Sequence, residues 1–437
     1  MYSFGLFSCS IPYLLHLHKA ITFMTQRQQR IDPIKDHETQ NSLLNKDALA
    51  LECKTLGVEL IGLTELVNQD GALAHWYSPH VDRLKSWIER GDHGEMTWME
   101  SQIEKRCDPR ELLPKVRTAI TLWLGHHFSE PPKLEDQGNV TRGKVARYAW
   151  GRDYHNVLRR VLRQLDKWLK GQDHTIVNHG SVDTSPVLER AIAERCGVGW
   201  IGRSTLLVHP KRGTFGSIAI LLTSGTFDEL NEVHPNRCGH CQDCVQQCPT
   251  GAISEEGVNA RRCISYWTIE HRGLIPRAFR ASIGEWVFGC DICQEVCPWT
   301  IKAEKTQAPP HQELWQPLHE RARPHLRSWL ASDDEFLNES LKGSPLRRAF
   351  PHGLKRNAII VLVNLKDTSA LPDIIPCLEH SEPSVRGTAA WALGELGSLS
   401  LSTEIKDKCR AALHECQSKE ELRSVLGEIE YGLECLS

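Results

Sequence analysis

Eight cysteines between Cys238 and Cys297 stand at spacings suited to binding iron rather than each other. Cys238, Cys241, Cys244 and Cys248, followed by Pro249, form the C-x2-C-x2-C-x3-C-P run of bacterial ferredoxins. Cys290, Cys293 and Cys297, followed by Pro298, make a shorter second run, and Cys263 lies between the two. A cubane cluster needs four thiolates converging from different directions. A short loop supplies three before the chain must leave, and in two-cluster ferredoxins the last cysteine of each run crosses to the other cluster. On that rule the first cluster takes Cys238, Cys241, Cys244 and Cys297. The second takes Cys248, Cys290 and Cys293, with Cys263 completing the count. A zinc ribbon would use two Cys-x2-Cys pairs and leave the longer run unexplained, and a disulfide framework would need an oxidising compartment that nothing else supports. Paired clusters move electrons one at a time, so another part of the chain must hold what accepts them.

The chain that positions this block has 437 residues, room for about three domains. A hydrophobic content of 40%, a charged content of 24% and a net charge of −3 describe an ordinary soluble protein, and a nucleic-acid role would have to rest on local patches. The remaining eight cysteines (Cys9, Cys53, Cys107, Cys196, Cys377, Cys409, Cys416 and Cys435) are scattered as reduced cytosolic thiols are, so a cytoplasmic protein is expected. Tyr2 to Phe23 is fairly apolar but lacks a basic start and a cleavage site, and Pro12, His16, His18 and Lys19 break it too often for a membrane span. Residues 1–45 are read as a disordered lead-in or an extension upstream of a true start at Met24.

Between Lys46 and Asn231 helix and strand patterns alternate, which predicts an α/β or α+β domain. Helices are predicted over Ala48 to Leu56, His80 to Arg90, Tyr154 to Leu169 and Ser185 to Cys196, the last capped by Ser185 with Pro186 in its first turn. Strands are predicted over Val58 to Leu63, Thr118 to Gly125, Val145 to Trp150 and Gly216 to Thr223, with a polar loop from Pro131 to Gly143. Lys302 to Pro310 reads as a linker. Beyond it Lys355 to Leu365 aligns with Arg386 to Leu396: Ala358 with Ala389, Leu362 with Leu393, Leu365 with Leu396. Ala370 to Glu379 supplies a partner helix and Glu420 to Glu430 a terminal one. The unit resembles a HEAT repeat, a generic helical bundle being the alternative.

The region upstream of the clusters has no dinucleotide fingerprint, no phosphate-binding loop and no nucleophile elbow. Functional residue types gather instead in three segments: Glu104 to Arg110, Trp150 to His155 and Ser181 to Arg190. Together with Gly199 to Arg203, Cys263 to Glu270 and both cysteine runs, in this order, they resemble the epoxyqueuosine reductases, cobalamin and iron–sulfur enzymes of tRNA modification, over roughly Asp47 to Pro298. The longer members of that family carry a similar helical tail.

The resemblance implies an α+β multidomain chain: an α/β cobalamin-binding domain over residues 46–231, a two-cluster ferredoxin-like domain over 232–300, linker and helices over 301–345, and a HEAT-like tail over 346–437. It implies a cobalamin beside two [4Fe-4S] clusters, an external low-potential electron donor and a monomer without membrane attachment. The substrate would be the anticodon stem-loop of tRNAs whose anticodons begin G-U, its wobble epoxide reduced to an alkene with release of water. By motif position Asp183 would be the acid that protonates the departing oxygen, a task that calls for a carboxyl kept neutral by apolar surroundings. Otherwise it is a turn or capping aspartate. Arg106 and Ser265 match corrinoid-contacting positions. His155 begins an Asp-x-His pattern of histidine-ligated cobalamins that fails at Leu158, so a hydrogen-bonding role at a helix start is expected of it.

Three groups of cations could hold tRNA phosphates: Lys342, Arg347, Arg348, Lys355 and Arg356 with His352; Arg321, Arg323 and Arg327; and Arg261, Arg262, Arg272, Arg277 and Arg280 around Cys263. The rivals to this reading are a cobalamin-dependent reductive dehalogenase, whose relatives are typically exported with a twin-arginine signal and lack a repeat tail, and a ferredoxin-type electron-transfer protein. Anaerobic purification separates the last of these: the enzyme readings require corrinoid absorbance beside the iron–sulfur bands, and iron–sulfur bands alone remove them both.

Overall fold

In the computed structural model, which describes residues 43–58, 60–126, 140–306 and 316–437, the segment ahead of the cysteines builds one four-stranded sheet. Its strands are β1 (Leu60–Glu65), β2 (Thr118–Gly125), β3 (Asn178–Ser181) and β4 (Gly216–Thr223), ordered β1-β2-β4-β3. Every pair is antiparallel, and β2 opposes β4 from Thr118–Thr223 to Gly125–Gly216. All eight residues of β2 are buried. Ile120, Leu122 and Leu124 enter one core while Ala119 and Trp123 enter another, because successive side chains of a strand face opposite ways. An unbroken buried run usually marks a parallel strand. Here an antiparallel sheet is covered on both faces, so of the two predicted classes the domain is α+β and not α/β.

The covering helices follow their sequence signals. Asn45 caps α1 (Lys46–Thr55), accepting from the Ala48 N–H at 2.8 Å, and α2 (Ser78–Glu89) carries proline in its first turn. Asp153 caps α3 (Tyr154–Gln172), which buries Leu158, Val161, Leu162, Leu165 and Leu169 at helical spacing. Two predicted elements differ. Of the expected Val145 to Trp150 strand only Val145 pairs, together with the preceding Lys144, in parallel with Trp286–Phe288. The rest curls into a turn closed by the Trp150 indole N–H on the Val145 carbonyl at 2.6 Å. The helix expected from Ser185 begins only at Glu189 (α4, Glu189–Arg195), because Ser185 is bound outside it, its N–H to Ser181 Oγ and its hydroxyl to His179 Nε2. The residues between β3 and α4 thereby become a loop.

The cysteine block carries one short helix of consequence, α5 (Ile264–Ile269), which starts immediately after Cys263. The helical tail comprises α6 (Phe350–Asn364), α7 (Pro383–Leu399), α8 (Thr403–Lys419) and α9 (Arg423–Leu436). The expected Ala370 to Glu379 helix is broken into 3-10 and α turns at Pro372 and Pro376, each of which removes a donor. A Cβ added at Gly394 of α7 would lie 2.5 Å from the Cα of Gly432 in α9, so these helices cross with no room for a side chain. Lys302–Lys305 of the predicted linker continues a helix from Pro298. The expectations for residues 1–42, for 131–139 and for 307–310 lie outside the described residues. No helix among the described residues is long and apolar enough to cross a membrane.

Polar side chains tie the tail to the cysteine block. The Arg356 guanidinium, 1% exposed, donates to the carbonyls of Trp267, His271 and Gly273, each at 2.8 Å. Neighbouring Asn357 donates to Thr268 and Val287, and Asn364, two turns on, to Arg280 and Gly284. Trp267 and Thr268 are in the last turn of α5, whose carbonyls have no partners within the helix. Replacing Arg356 with methionine leaves two buried carbonyls and a third, part-buried one without this donor, and a loss of about 3 kcal/mol or more is expected in denaturant unfolding. A loss below about 1 kcal/mol would show the contacts to be incidental.

Candidate functional site

The eight thiols of the block gather in two sets. The Cys244 thiol is raised by burial and by Cys238, Cys297 and Cys241 beside it. Cys290 is raised by burial, with Cys263 and Cys248 among its charged neighbours, and Cys293 by burial with Cys290 and Cys263. Cys297 thus lies beside the first run, Cys248 and Cys263 lie beside Cys290, and Cys244 is also a neighbour of Cys293. The backbone N–H groups of Tyr266 and Ser265, in the first turn of α5, bond to the Cys263 sulfur. Among the described residues no three His, Cys, Asp or Glu side chains converge on a single metal ion, and none of the described cysteines is in a disulfide. Two wide, all-sulfur sets of four suit cubane clusters.

Asp183 sits at the tip of the loop between β3 and α4 with φ of 52°, a left-handed conformation that a side chain rarely adopts. What holds it there is Glu189, whose Oε1 accepts from the Asp183 N–H at 2.8 Å and from Ser181 Oγ at 2.7 Å. The Asp183 carboxylate is exposed and accepts from the Tyr154 hydroxyl at 3.3 Å. Burial, then the Asp183 charge, hold the Tyr154 phenol far above its usual range, so it stays a donor. From Tyr154 a chain of rings leads toward the second thiol set: Tyr154 meets Tyr148 edge-on at 5.9 Å, and Tyr148 meets Phe288, two residues before Cys290, at 6.1 Å. The sequence singled out the segments holding Tyr154 and Glu189 but gave neither a role. The six-residue spacing from Asp183 to Glu189 was the available signal.

Arg106 lies in the helical turn Ile103–Cys107 with its guanidinium 5.4 Å over Trp98. Burial lowers its pKa, and the Asp183 and Glu189 carboxylates oppose that shift, so the structure brings Arg106 toward Asp183. Its Nε is buried without a partner, a donor that a polar group of a bound cofactor would satisfy. Ser265 stands in the first turn of α5, next to the second thiol set. His155 has the helix-start role expected of it: Asp153 Oδ1 lies 3.0 Å from its N–H and 2.6 Å from Nδ1.

Of the expected phosphate-binding cations Arg280, Lys355 and Arg356 are buried, while Arg261, Arg262, Arg277, Lys342, Arg347 and Arg348 are exposed, each with a partner on the protein. Lys355 and Arg280 are as enclosed as Arg356, paired with Asp334 at 2.7 Å and Glu428 at 2.7 Å. Arg277 shares Glu428, Arg348 forks onto Glu270, Arg327 binds Asp373 and Arg323 binds Glu285. Arg321, Arg262 and Arg272 donate to the backbone carbonyls of Gly151, Thr250 and Ile269, Arg261 lies 3.7 Å from Asp92, and Arg347 holds Asn338. Lys342 pairs loosely with Glu339, and His352 stacks on Phe350. A run of cations between packed helices reads as a basic surface in sequence, yet here Lys355 and Arg356 are enclosed while Lys342, Arg347 and Arg348 stay exposed.

Comparison with known proteins places these features in a context. A family model described as a 4Fe-4S double cluster binding domain matches residues 237–300, one described as epoxyqueuosine reductase QueG, DUF1730, matches 106–184, and HEAT repeats match 346–416. The epoxyqueuosine reductase of Synechococcus sp. is 38% identical over 299 residues, 68% of this chain and 86% of that protein. A crystal structure of epoxyqueuosine reductase with an epoxyqueuosine-modified tRNA-Tyr stem loop is 32% identical at a TM-score of 0.77, covering 90% of this chain and 98% of that one. The Bacillus subtilis enzyme, solved with its aspartate-bearing catalytic loop swung out of the active site, is 31% identical at 0.76, covering 90% and 99%.

Burial and the Asp183 charge push Glu189 up to about 7 from an ordinary 4.5. A carboxyl raised in the folded state binds its proton more tightly there than in the unfolded chain. Its contribution is therefore present below about 4.5, falls as pH climbs to about 7, and is lost above. Glu189→Gln keeps an acceptor for Ser181 and Asp183 and should flatten that slope. Glu189→Ala leaves the Asp183 N–H free, and its amide exchange should rise on the order of tenfold or more. Equal protection in the alanine variant would refute the latch.

Proposed function

The chain belongs to the epoxyqueuosine reductase family, and from that premise we propose that it reduces epoxyqueuosine to queuosine at the wobble position of tRNA, with two [4Fe-4S] clusters feeding a cobalamin. It is an oxidoreductase. Two electrons enter the substrate, both carbon–oxygen bonds of the epoxide break, the oxygen takes two protons and leaves as water, and the ring carbons become an alkene. The observation that carries the reading is Asp183, strained, exposed and latched by Glu189, at the head of a ring relay that runs toward Cys290.

In this proposal Cys238, Cys241, Cys244 and Cys297 hold the cluster that meets the external donor, and Cys248, Cys263, Cys290 and Cys293 hold the cluster nearer the substrate. Arg106 and Ser265 hold the cobalamin, which when bound supplies low-potential reducing power at one centre. Asp183 gives its proton to the departing oxygen. The Tyr154 hydroxyl bonds to the Asp183 carboxylate and fixes the direction in which the proton is presented, while Glu189 keeps the loop tip in place from behind. The substrate is the anticodon stem-loop, its wobble base turned out of the loop so that the epoxide reaches Asp183. The B. subtilis structure with its catalytic loop swung out supports a loop of this kind having two positions.

Asp183→Asn keeps the shape and removes the proton. With cluster and corrinoid absorbance unchanged, conversion of epoxyqueuosine tRNA read by mass spectrometry should fall by about 10²- to 10⁴-fold. Normal turnover would assign the acid elsewhere.

A further inference from the structure

Phe350 opens α6 at φ 58° and ψ 160°, a backbone conformation that only glycine adopts freely. Burial does not account for the side chain, since 48% of the residue is exposed. A glycine would open the helix there without strain, so the aromatic ring serves something other than the turn. Two flat groups already lie against it. The Arg272 guanidinium, tied to the Ile269 carbonyl, stands 4.7 Å from the ring centre, and the His352 imidazole lies within 7° of parallel at 5.5 Å. At that separation parallel rings are offset, each covering only part of the other. The three groups form a short stack that remains open to solvent.

This stack borders the site. The Gly343 carbonyl accepts from the Asp153 N–H at 2.8 Å, and Asp153 caps the helix whose first residue, Tyr154, bonds to Asp183. Arg348, two residues before Phe350, is held charged first by its hydrogen bonds to Glu270, and the Asp183 carboxylate adds to the same shift. Lys342, Arg347 and Arg348 are exposed on the segment that leads to the ring. A flat π-surface beside cations matches a nucleotide, which brings a base and a phosphate together. We propose that Phe350, with Arg272 and His352, is the platform on which a base flanking the wobble nucleotide stacks when the wobble base turns out toward Asp183. The inference rests on the proposed tRNA substrate and adds how the opened loop is held. Turning a base out breaks its stacking on its neighbours, and a protein ring that takes the vacated place offsets that loss. Every base has a π-face, so the platform positions the loop without selecting its sequence.

The test uses the full chain with both clusters and a fluorescent stem-loop whose anticodon begins G-U, its affinity followed by anisotropy. Phe350→Gly should weaken binding by about 5- to 100-fold, the share of one stacked base. Its melting temperature should stay level or rise, because glycine relieves the left-handed backbone. Phe350→Trp should bind within about threefold of the unaltered chain. The slope of log K against log salt should hold in both variants, since a base contact releases no counterion. Stem-loops made abasic on either side of the wobble nucleotide identify the base. One of them should bind the unaltered chain more weakly yet lose almost nothing further with Phe350→Gly, a non-additivity that a merely structural role would not produce. Losses that add for both abasic sites, equal weakening by tryptophan and glycine, or normal binding by the glycine variant overturn the platform and leave the substrate assignment intact. An unaltered chain that binds no stem-loop would remove both readings.

Discussion

The capping of one short helix by residues from the far end of the chain is the constraint on which most else depends. Helix α5 is too short to satisfy its own carbonyls, and its first turn bonds to the sulfur of Cys263. Its last turn is completed by Arg356 and Asn357 of α6, both enclosed and both aimed at backbone oxygen. The placement of the Cys263 thiol is thus set by a helix whose other end is closed by the repeats. A buried guanidinium satisfied only by neutral acceptors would be costly anywhere else. Here it replaces donors that water would have supplied to the end of α5.

The second organising interaction is the Glu189 latch. Left to itself the loop between β3 and α4 would continue the helix back toward Pro186, as the sequence suggests, and Asp183 would become an ordinary cap. Two hydrogen bonds to one carboxylate oxygen, together with the Ser185 contacts to Ser181 and His179, hold the loop open instead. The same carboxylate is itself raised by burial and then by the charge it holds in place, so Glu189 and Asp183 are electrically coupled.

Where local pattern decides the outcome, the chain was legible. β2 and β4 have the predicted ends, α3 has its cap and apolar stripe, and Cys297 and Cys248 each lie beside thiols of the other run. Reading failed where tertiary contacts override local preference. The curl after Val145 is closed by the indole of Trp150, five residues on, and the late start of α4 depends on a histidine from another element. The cations show the same limit most clearly. Arg356 and Arg280 are indistinguishable from Arg160 in composition, yet two are interior struts and one is solvated, a difference that only the packing of α6 and α9 against the block decides.

The cap on α5 also has a consequence in time. A ribosome delivers Cys238 to Cys297 well before it delivers Arg356, so during synthesis the cysteine block exists for a while with the far end of α5 still open to water. Arrival of α6 then supplies the donors that water had been providing to the carbonyls at that end. The order of residues along the chain is in this sense also an order of assembly: α5 first, its cap last.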